Sequence, residues 1–332
     1  MAIIRIEPDD AATKVVSPQG IAITDYDTRV KDGKFVYSTT GGELLLDDGD
    51  KVRSLLQVSP SSGNEFSIDS FRLSPDGTKV AVSITFDGWE TNNASESIVE
   101  EIAGIFILNL ESGDKAKLIS HNYPNPEAGD SVVDVTFYID PLWSPDGEAI
   151  FTKTVNWEWH SVAWIYPINE PGIEIHRPVE ELAWSEGYWS SDSRFLLLSG
   201  RTYSVRSNLD RVDRSTGSVE TLIDGFLDQT YILSSHVAEN QVLFTASSAD
   251  QPEYHLYEGL IAGDVFTYDV AGYGDALCSQ FKLVWDSRGE YGILSCGDSI
   301  RAISSDGTVN IEFSHLIPAT NLALIDQFGW CA

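Results

Sequence analysis

A short turn sequence recurs in this chain, each time between two apolar runs. Ser-Pro-Asp-Gly occurs at residues 74–77 and again at 144–147. Proline fixes φ at the second position of a turn, the aspartate side chain bonds nearby backbone, and glycine accepts a positive φ. Each copy therefore predicts a tight hairpin that joins two antiparallel strands.

Weaker copies extend the pattern along the chain. Residues 190–193 read Ser-Ser-Asp-Ser and residues 286–289 read Asp-Ser-Arg-Gly, and a tryptophan precedes both. After each hairpin come two more apolar runs around a second turn that contains glycine. The unit is strand a, tight turn, strand b, loop, strand c, glycine turn, strand d, and it recurs every ~40–55 residues. Four strands at this period are typical of β-propeller blades.

The repeats predict an all-β fold with a single domain over residues 1–332. We expect a β-propeller of six four-stranded blades, with seven as the alternative. The predicted blades cover about 21–58, 66–120, 132–178, 182–224, 229–270 and 277–314. Residues 321–330 read like one more strand a, which would close the ring by pairing with the N-terminal blade and so remove a free sheet edge. Residues 21–26 compete for the same position.

The sequences Leu-Ser-Pro-Asp-Gly at 73–77 and Trp-Ser-Pro-Asp-Gly at 143–147 resemble the repeat of the TolB/PD40 (WD40-like) propellers. The resemblance covers most of the chain and departs furthest at residues 234–240. The resemblance implies the propeller architecture and does not specify an activity. Such repeats occur in periplasmic envelope proteins, in the non-catalytic domains of some serine peptidases and in a few lyases, and a fold does not specify a function.

The chain is strongly acidic, with 51 acidic and 21 basic residues and a net charge of −30. That field repels nucleic-acid phosphates and anionic membranes. No apolar run reaches the roughly 18 residues that a membrane helix needs. We therefore expect a protein, peptide or glycan partner, with no nucleic acid and no membrane insertion.

The blade order predicts two unlike faces. The a–b and c–d turns lie on one face of a propeller, here called the turn face, and the b–c and d–a connections lie on the other, here called the loop face. The turns are short, whereas the expected loops are long: 87–103, 121–131, 156–161, 201–208, 247–253 and 271–275. Binding residues concentrate in loops that a rigid scaffold positions, so the loop face is the candidate binding face.

Aromatic, histidine and charged side chains are frequent in these loops. The predicted binding residues are Trp89, His121, Tyr123, Trp157, Glu158, Trp159, His160, Tyr203, Arg206, Tyr254, His255 and Tyr257. Trp157 and Trp159 are two positions apart and share one side of an extended segment. A flat aromatic pair beside polar groups suits sugar rings, peptides or quaternary amines. The alternative is that these tryptophans pack between blades.

Catalytic motifs are missing: the chain has no Gly-x-Ser-x-Gly elbow, no His-Glu-x-x-His and no Walker loop. We assign no catalytic residue and expect a non-catalytic binding module. One alternative is a polysaccharide lyase or glycoside hydrolase at the channel mouth, with His160 or His255 as base and Glu158 or Glu253 as partner. Another is the accessory propeller of a larger protein.

No cofactor or metal site is expected. Asp-Asp-Gly-Asp at 47–50 resembles a calcium loop but lacks the later glutamate, so a polar turn is favoured over calcium. Cys278 and Cys296 flank a hairpin centred near residue 287, which predicts facing positions and a disulfide, with a free pair as the alternative. A disulfide favours an extracytoplasmic location, periplasmic or secreted.

Overall fold

The computed structural model describes twenty segments of the chain: 4–6, 13–15, 23–29, 34–48, 51–58, 66–86, 96–123, 136–156, 163–175, 182–190, 192–202, 207–224, 230–238, 241–248, 251–262, 265–270, 281–285, 291–296, 299–304 and 310–312. In these segments the secondary structure is almost entirely β, which confirms the predicted class. Among the described helices, none has the length and apolarity needed to cross a membrane.

The strands of the first three sheets follow a two-stranded ribbon near the N-terminus. The ribbon is β1 (Ile4–Ile6) and β2 (Thr13–Val15). The sheets are formed by β3 (Ile23–Arg29), β4 (Lys34–Thr39), β5 (Glu43–Asp47), β6 (Val52–Gln57); β7 (Phe66–Leu73), β8 (Lys79–Phe86), β9 (Gly104–Asn109), β10 (Lys115–Ile119); and β11 (Thr136–Trp143), β12 (Ala149–Asn156), β13 (Ala163–Pro167), β14 (Ile173–Ile175).

Three more sheets follow in the same order. They are formed by β15 (Leu182–Trp189), β16 (Phe195–Thr202), β17 (Ser207–Asp213), β18 (Val219–Ile223); β19 (Thr230–Ala238), β20 (Gln241–Ser248), β21 (Gln251–Ala262), β22 (Val265–Val270); and β23 (Phe281–Trp285), β24 (Tyr291–Cys296), β25 (Ser299–Ser304), β26 (Asn310–Glu312). Each of the six sheets has four antiparallel strands paired in chain order. This is the arrangement that the repeats predict for propeller blades, and we number the sheets as blades 1 to 6.

The first blade contains a strand a from the N-terminal part of the chain. β3 pairs with β4 and fills the strand-a position of blade 1. The competing stretch at 21–26, which overlaps β3, therefore supplies that strand. Residues 321–330 lie outside the described residues, so ring closure by them stays a prediction.

The hairpin of blade 6 corrects the expected cysteine register. Phe281, rather than Cys278, lies directly opposite Cys296. The hairpin is thus centred beyond residue 287. The prediction that Cys278 and Cys296 face each other was wrong by three positions. Cys278 lies outside the described residues, and the disulfide stays a prediction without support from the register.

A short helix was missed by the sequence analysis. α1 (Glu96–Ile102) lies in the connection between β8 and β9. Its Val99 side chain is buried in the apolar cluster between blades 1 and 2. The Lys117 ammonium donates a hydrogen bond to the Ala103 carbonyl (2.8 Å) and another to the Glu100 carbonyl, so a cation satisfies the C-terminal end of the helix.

Apolar side chains fill the spaces between neighbouring blades. Separate clusters join blade 1 to blade 2, blade 2 to blade 3, blade 3 to blade 4 and blade 4 to blade 5. Tryptophan indoles add hydrogen bonds across two of these spaces. Trp143 Nε1 donates to the Arg72 carbonyl (3.0 Å), and Trp189 Nε1 donates to the Leu142 carbonyl (3.2 Å). Each indole therefore ties strand a of its blade to strand a of the preceding blade.

The recurrent turn has the same hydrogen bonds in three blades. In blade 3 the Ser144 hydroxyl donates to Asp146 Oδ1 (2.6 Å) and accepts from the Ala149 amide (2.9 Å). Gly147 follows with φ of 72°. Ser74 in blade 2 and Ser190 in blade 4 repeat these contacts. The serine hydroxyl thus links the two ends of the turn. We expect the hairpin to depend on this contact in each blade that has the motif.

Ser144→Ala is expected to destabilise the chain by about 1–3 kcal/mol, because the change leaves the buried Ala149 amide without its side-chain acceptor. Urea unfolding measures the loss. Ser54→Ala, at an exposed position of β6, is the matched control and is expected to change stability by less than about 0.5 kcal/mol. Equal effects of the two changes would contradict a special role for the buried hydroxyl.

Candidate functional site

Chain connections differ in length between the two faces. On the turn face, all a–b and c–d connections of the six described sheets are two to five residues long. On the loop face, lengths vary widely. The longest connections are 87–103 and 120–135, and both adjoin blade 2. The connection 157–162 joins strands b and c of blade 3, and it carries Trp157 and Trp159, which lie outside the described residues.

Neighbouring turns contact one another on the turn face. The Asp146 amide donates to Ser193 Oγ (3.0 Å), which joins the turns of blades 3 and 4. The Arg214 guanidinium pairs with the Asp146 carboxylate and lies 3.6 Å from Glu148. Burial disfavours the charged form of Asp146, but hydrogen bonds from Ser144 and Glu148 and the charge of Arg214 outweigh it and lower the pKa of this carboxyl. Side chains here are engaged with one another, which leaves the loop face as the candidate site.

His121 is the predicted binding residue whose surroundings are best described. It lies just after β10, on the loop face, and its side chain is only 7% exposed. Its Nδ1 accepts a hydrogen bond from the Tyr138 amide (3.1 Å), so Nε2 carries the proton of the neutral ring. Nε2 is buried and makes no hydrogen bond of normal geometry. His121 therefore joins blade 2 to blade 3 rather than lying open to a ligand.

The charged form of His121 is strongly disfavoured. Burial and, to a lesser extent, the charge of the Lys117 ammonium outweigh the opposing Ile84 carbonyl and lower the pKa of His121 to about 3. A neutral imidazole at neutral pH follows from this environment. It can donate a hydrogen bond from Nε2, but it cannot supply a positive charge to a ligand.

Tyr123 belongs to the same cluster of aromatic side chains. Its hydroxyl accepts a hydrogen bond from the Phe86 amide (2.6 Å), and its ring meets Phe86 edge-on at 5.8 Å and Phe137 edge-on at 5.4 Å. The ring of Tyr138 stacks on His121 at 6.1 Å. These contacts give Tyr123 and His121 a packing role between blades 2 and 3.

The loop expected at 247–253 is largely strand. β20 ends at Ser248 and β21 begins at Gln251, so Tyr254, His255 and Tyr257 lie within β21. The Tyr257 side chain is half-buried against the cluster between blades 4 and 5, and burial raises the pKa of its hydroxyl. The expected loop at 201–208 is likewise reduced to 203–206 between β16 and β17.

Seven predicted binding residues lie outside the described residues. They are Trp89, Trp157, Glu158, Trp159, His160, Tyr203 and Arg206. The structure therefore brings His121 and Tyr123 together in one cluster, places Tyr257 two blades away, and leaves the Trp157–Trp159 pair as a prediction. The calcium prediction also stays untested, although the Asp48 carboxylate accepts the Lys51 amide (3.0 Å) in the turn after β5.

Sequence reasoning did not select an aromatic pair at the start of strand c of blade 3. The Trp164 indole stacks on the Tyr166 ring, with centroids 5.7 Å apart and planes at 17°. Tyr166 in turn meets Tyr138 edge-on at 6.2 Å. Burial, the Tyr138 hydroxyl and the Glu174 carboxylate all raise the pKa of Tyr166. The signal available in the sequence was the i, i+2 spacing of Trp164 and Tyr166, which puts both rings on one side of a strand.

Comparison with known proteins shows a fold and no family. No protein-family model and no curated protein match the chain. Solved structures do match, among them a prolyl endopeptidase (14% identity, 90% of this chain, 43% of that chain, TM-score 0.61) and a puromycin hydrolase (12%, 96%, 51%, TM-score 0.61). A TolB protein from Acinetobacter baumannii has 12% identity over 88% of this chain and 62% of that one, with a TM-score of 0.47.

The structural likeness to the prolyl endopeptidase and the puromycin hydrolase, at 14% and 12% sequence identity, supports a propeller fold and nothing beyond the fold. The chain spans about half the length of the prolyl endopeptidase and puromycin hydrolase chains. Activities of those proteins therefore have no direct bearing on this one.

The buried imidazole predicts a component of acid sensitivity. The native state disfavours protonation of His121, whereas the unfolded chain protonates it near pH 6.5. Stability from the neutral ring is therefore complete above pH 6.5 and is lost as the pH falls towards 3, by on the order of a few kcal/mol. His121→Gln, whose amide oxygen can still accept the Tyr138 amide, should lose this component.

Urea unfolding of both proteins at several pH values between 7 and 3.5 checks the prediction. Carboxylates such as Asp76 and Asp146 are common to the two proteins, so the difference between their free energies of unfolding isolates His121. That difference should shrink steadily below pH 6.5. A difference independent of pH would contradict the buried, neutral imidazole.

Proposed function

We propose that this chain is a non-catalytic binding module, a closed propeller of six blades that presents its loop face to a protein, peptide or glycan. The observation that carries the proposal is the unequal division of chain length between the two faces. Every turn-face connection is two to five residues long, whereas the loop face holds 87–103 and 120–135 around blade 2. Long connections on a rigid scaffold are where recognition residues concentrate.

The burial of blade 1 supports the closed ring. Val36, Leu44 and Leu46 face blade 2, and the alternate residues Tyr37 and Leu45 face the other way. Tyr37 has no exposed surface and Leu45 is only 8% exposed. A strand that is buried on both sides needs a second covering layer, and blade 6 is the neighbour that a ring would supply.

Blades 2 and 3 are the part of the ring that we propose for binding. The two longest connections between the described strands, 87–103 and 120–135, adjoin blade 2. The connection that carries Trp157 and Trp159 belongs to blade 3. An aromatic pair on an extended segment offers large contact area at little entropic cost.

We propose an extracytoplasmic location as well, and mass spectrometry of a non-reduced digest tests it through the state of Cys278 and Cys296.

A second candidate is the accessory propeller of a larger protein. The matched region makes up 43% of the prolyl endopeptidase chain but 90% of this one, so the likeness is to a part of that protein. The coding sequence on both sides of residues 1–332 tests this candidate. A catalytic domain in the same reading frame would support it, and stop codons directly at both ends would contradict it.

Trp157→Ala combined with Trp159→Ala is expected to weaken, at least tenfold, the binding of the ligand that a glycan and peptide array selects for the purified chain. Loss of about 1 kcal/mol or more for each buried aromatic contact weakens binding at least tenfold for the pair. Val52→Ala, at an exposed position of β6, is the control and should bind like the original chain.

Circular dichroism and the unfolding midpoint must match between these proteins for the comparison to count as a binding effect. Normal binding by the double variant would overturn the assigned site. Release of shortened glycans or peptides from the array would overturn the non-catalytic assignment in favour of a lyase or hydrolase.

A further inference from the structure

One end of blade 3 combines an aromatic surface with a carboxylate. Trp164 is the second residue of β13, next to the 157–162 connection, and Glu174 is the second residue of β14. The two residues lie directly opposite each other in the antiparallel register. Side chains in facing positions of neighbouring strands are in contact range. The indole and the carboxylate therefore lie side by side at the loop-face end of the blade.

Among the described residues, the Trp164 ring makes one aromatic contact. It stacks on Tyr166 at 5.7 Å with nearly parallel planes, and the residue is only partly buried. Tyr166 itself is 8% exposed, so it is the buried member of the stacked pair. Trp164 is the more exposed member of the pair and keeps part of its surface accessible to solvent.

The Glu174 side chain is exposed, and in the described part of the chain no cation or hydrogen-bond donor pairs with it. Its charge nevertheless acts on this cluster, because it contributes to raising the pKa values of Tyr138 and Tyr166. Two other described carboxylates are paired: Glu220 with Arg211 and Asp140 with Lys153. Glu174 is thus an exposed negative charge beside a partly exposed indole.

We propose that Trp164 and Glu174 form a notch that binds an arginine or lysine side chain of a basic protein or peptide. A planar guanidinium stacks on an indole and can donate hydrogen bonds to a carboxylate at its edge. The net charge of −30 attracts cationic partners over a long range, and the notch supplies the short-range selection. The inference rests on the proposed binding role of the loop face and narrows the partner to a cationic polypeptide.

The sharpest test compares two single changes of equal charge. Glu174→Gln removes the carboxylate of the notch. Glu170→Gln removes an exposed carboxylate from the c–d turn at the opposite end of the same blade. Both variants have the same net charge, so non-specific attraction of a basic probe falls equally in the two. Any difference between them reports the notch.

The probe is an acetylated tetra-arginine amide, with the uncharged tetra-citrulline peptide as its comparison, measured by fluorescence anisotropy at about 0.15 M salt. Glu174→Gln should weaken tetra-arginine binding roughly two- to fivefold relative to Glu170→Gln. Trp164→Leu should weaken it to a similar degree and also reduce the preference for arginine over citrulline. Equal binding by the two glutamine variants would overturn the notch. If Trp164→Leu changes the circular dichroism spectrum, the glutamine pair alone decides.

The outcome separates this inference from the proposed function. If Trp157→Ala with Trp159→Ala weakens binding to the array ligand while Glu174→Gln binds tetra-arginine like Glu170→Gln, the notch is wrong and the loop-face function stands. If Glu174→Gln selectively loses tetra-arginine while the double tryptophan variant binds normally, the notch stands and the tryptophan site is wrong.

Discussion

The serine hydroxyl inside the tight turn is the interaction on which the rest of the structure depends. In blades 2, 3 and 4 this hydroxyl bonds an aspartate two residues later and an amide five residues later, as Ser144 does with Asp146 and Ala149. A turn that is closed by its own side chain sets the register of the first two strands. The next two strands follow by pairing in chain order.

The same turn also joins neighbouring blades. Ser193 takes the place of glycine in blade 4 with φ of 61°, a conformation that is costly for a residue with a side chain. Its hydroxyl accepts the Asp146 amide of the preceding turn, which offsets that cost. Arg214 adds an ion pair to Asp146 at the same place. Side chains on the turn face are therefore engaged in contacts between blades. The lengths of the connections vary on the loop face, where binding residues have little effect on the scaffold.

The parts of the structure that depend on local chemistry could be predicted from the sequence. Ser74 to Gly77 and their later copies predict the hairpins because proline, aspartate and glycine act within a few residues. α1 was missed because a helix of seven residues is held by Val99 in the inter-blade cluster and by Lys117 from another strand. Tyr254 and His255 were placed with the loop expected at 247–253, whereas β21 begins at Gln251 and includes Pro252 near its start, where a proline is tolerated in a strand. The predicted register that puts Cys278 opposite Cys296 was wrong because the centre of a hairpin shifts with the length of its turn, which the sequence of blade 6 does not define.

Hydrogen exchange in the presence of the array-selected ligand tests the central claim most directly, because it compares the two faces in one experiment. The account predicts slower exchange on binding in the loop-face segments 87–103, 120–135 and 157–162. It predicts no change in the turn-face segments 74–79, 144–149 and 190–195, in which the serine hydroxyls already hold the amides of Lys79, Ala149 and Phe195. Protection that appeared in the turn-face segments and left the loop-face segments unchanged would contradict the division of the molecule into a structural face and a binding face.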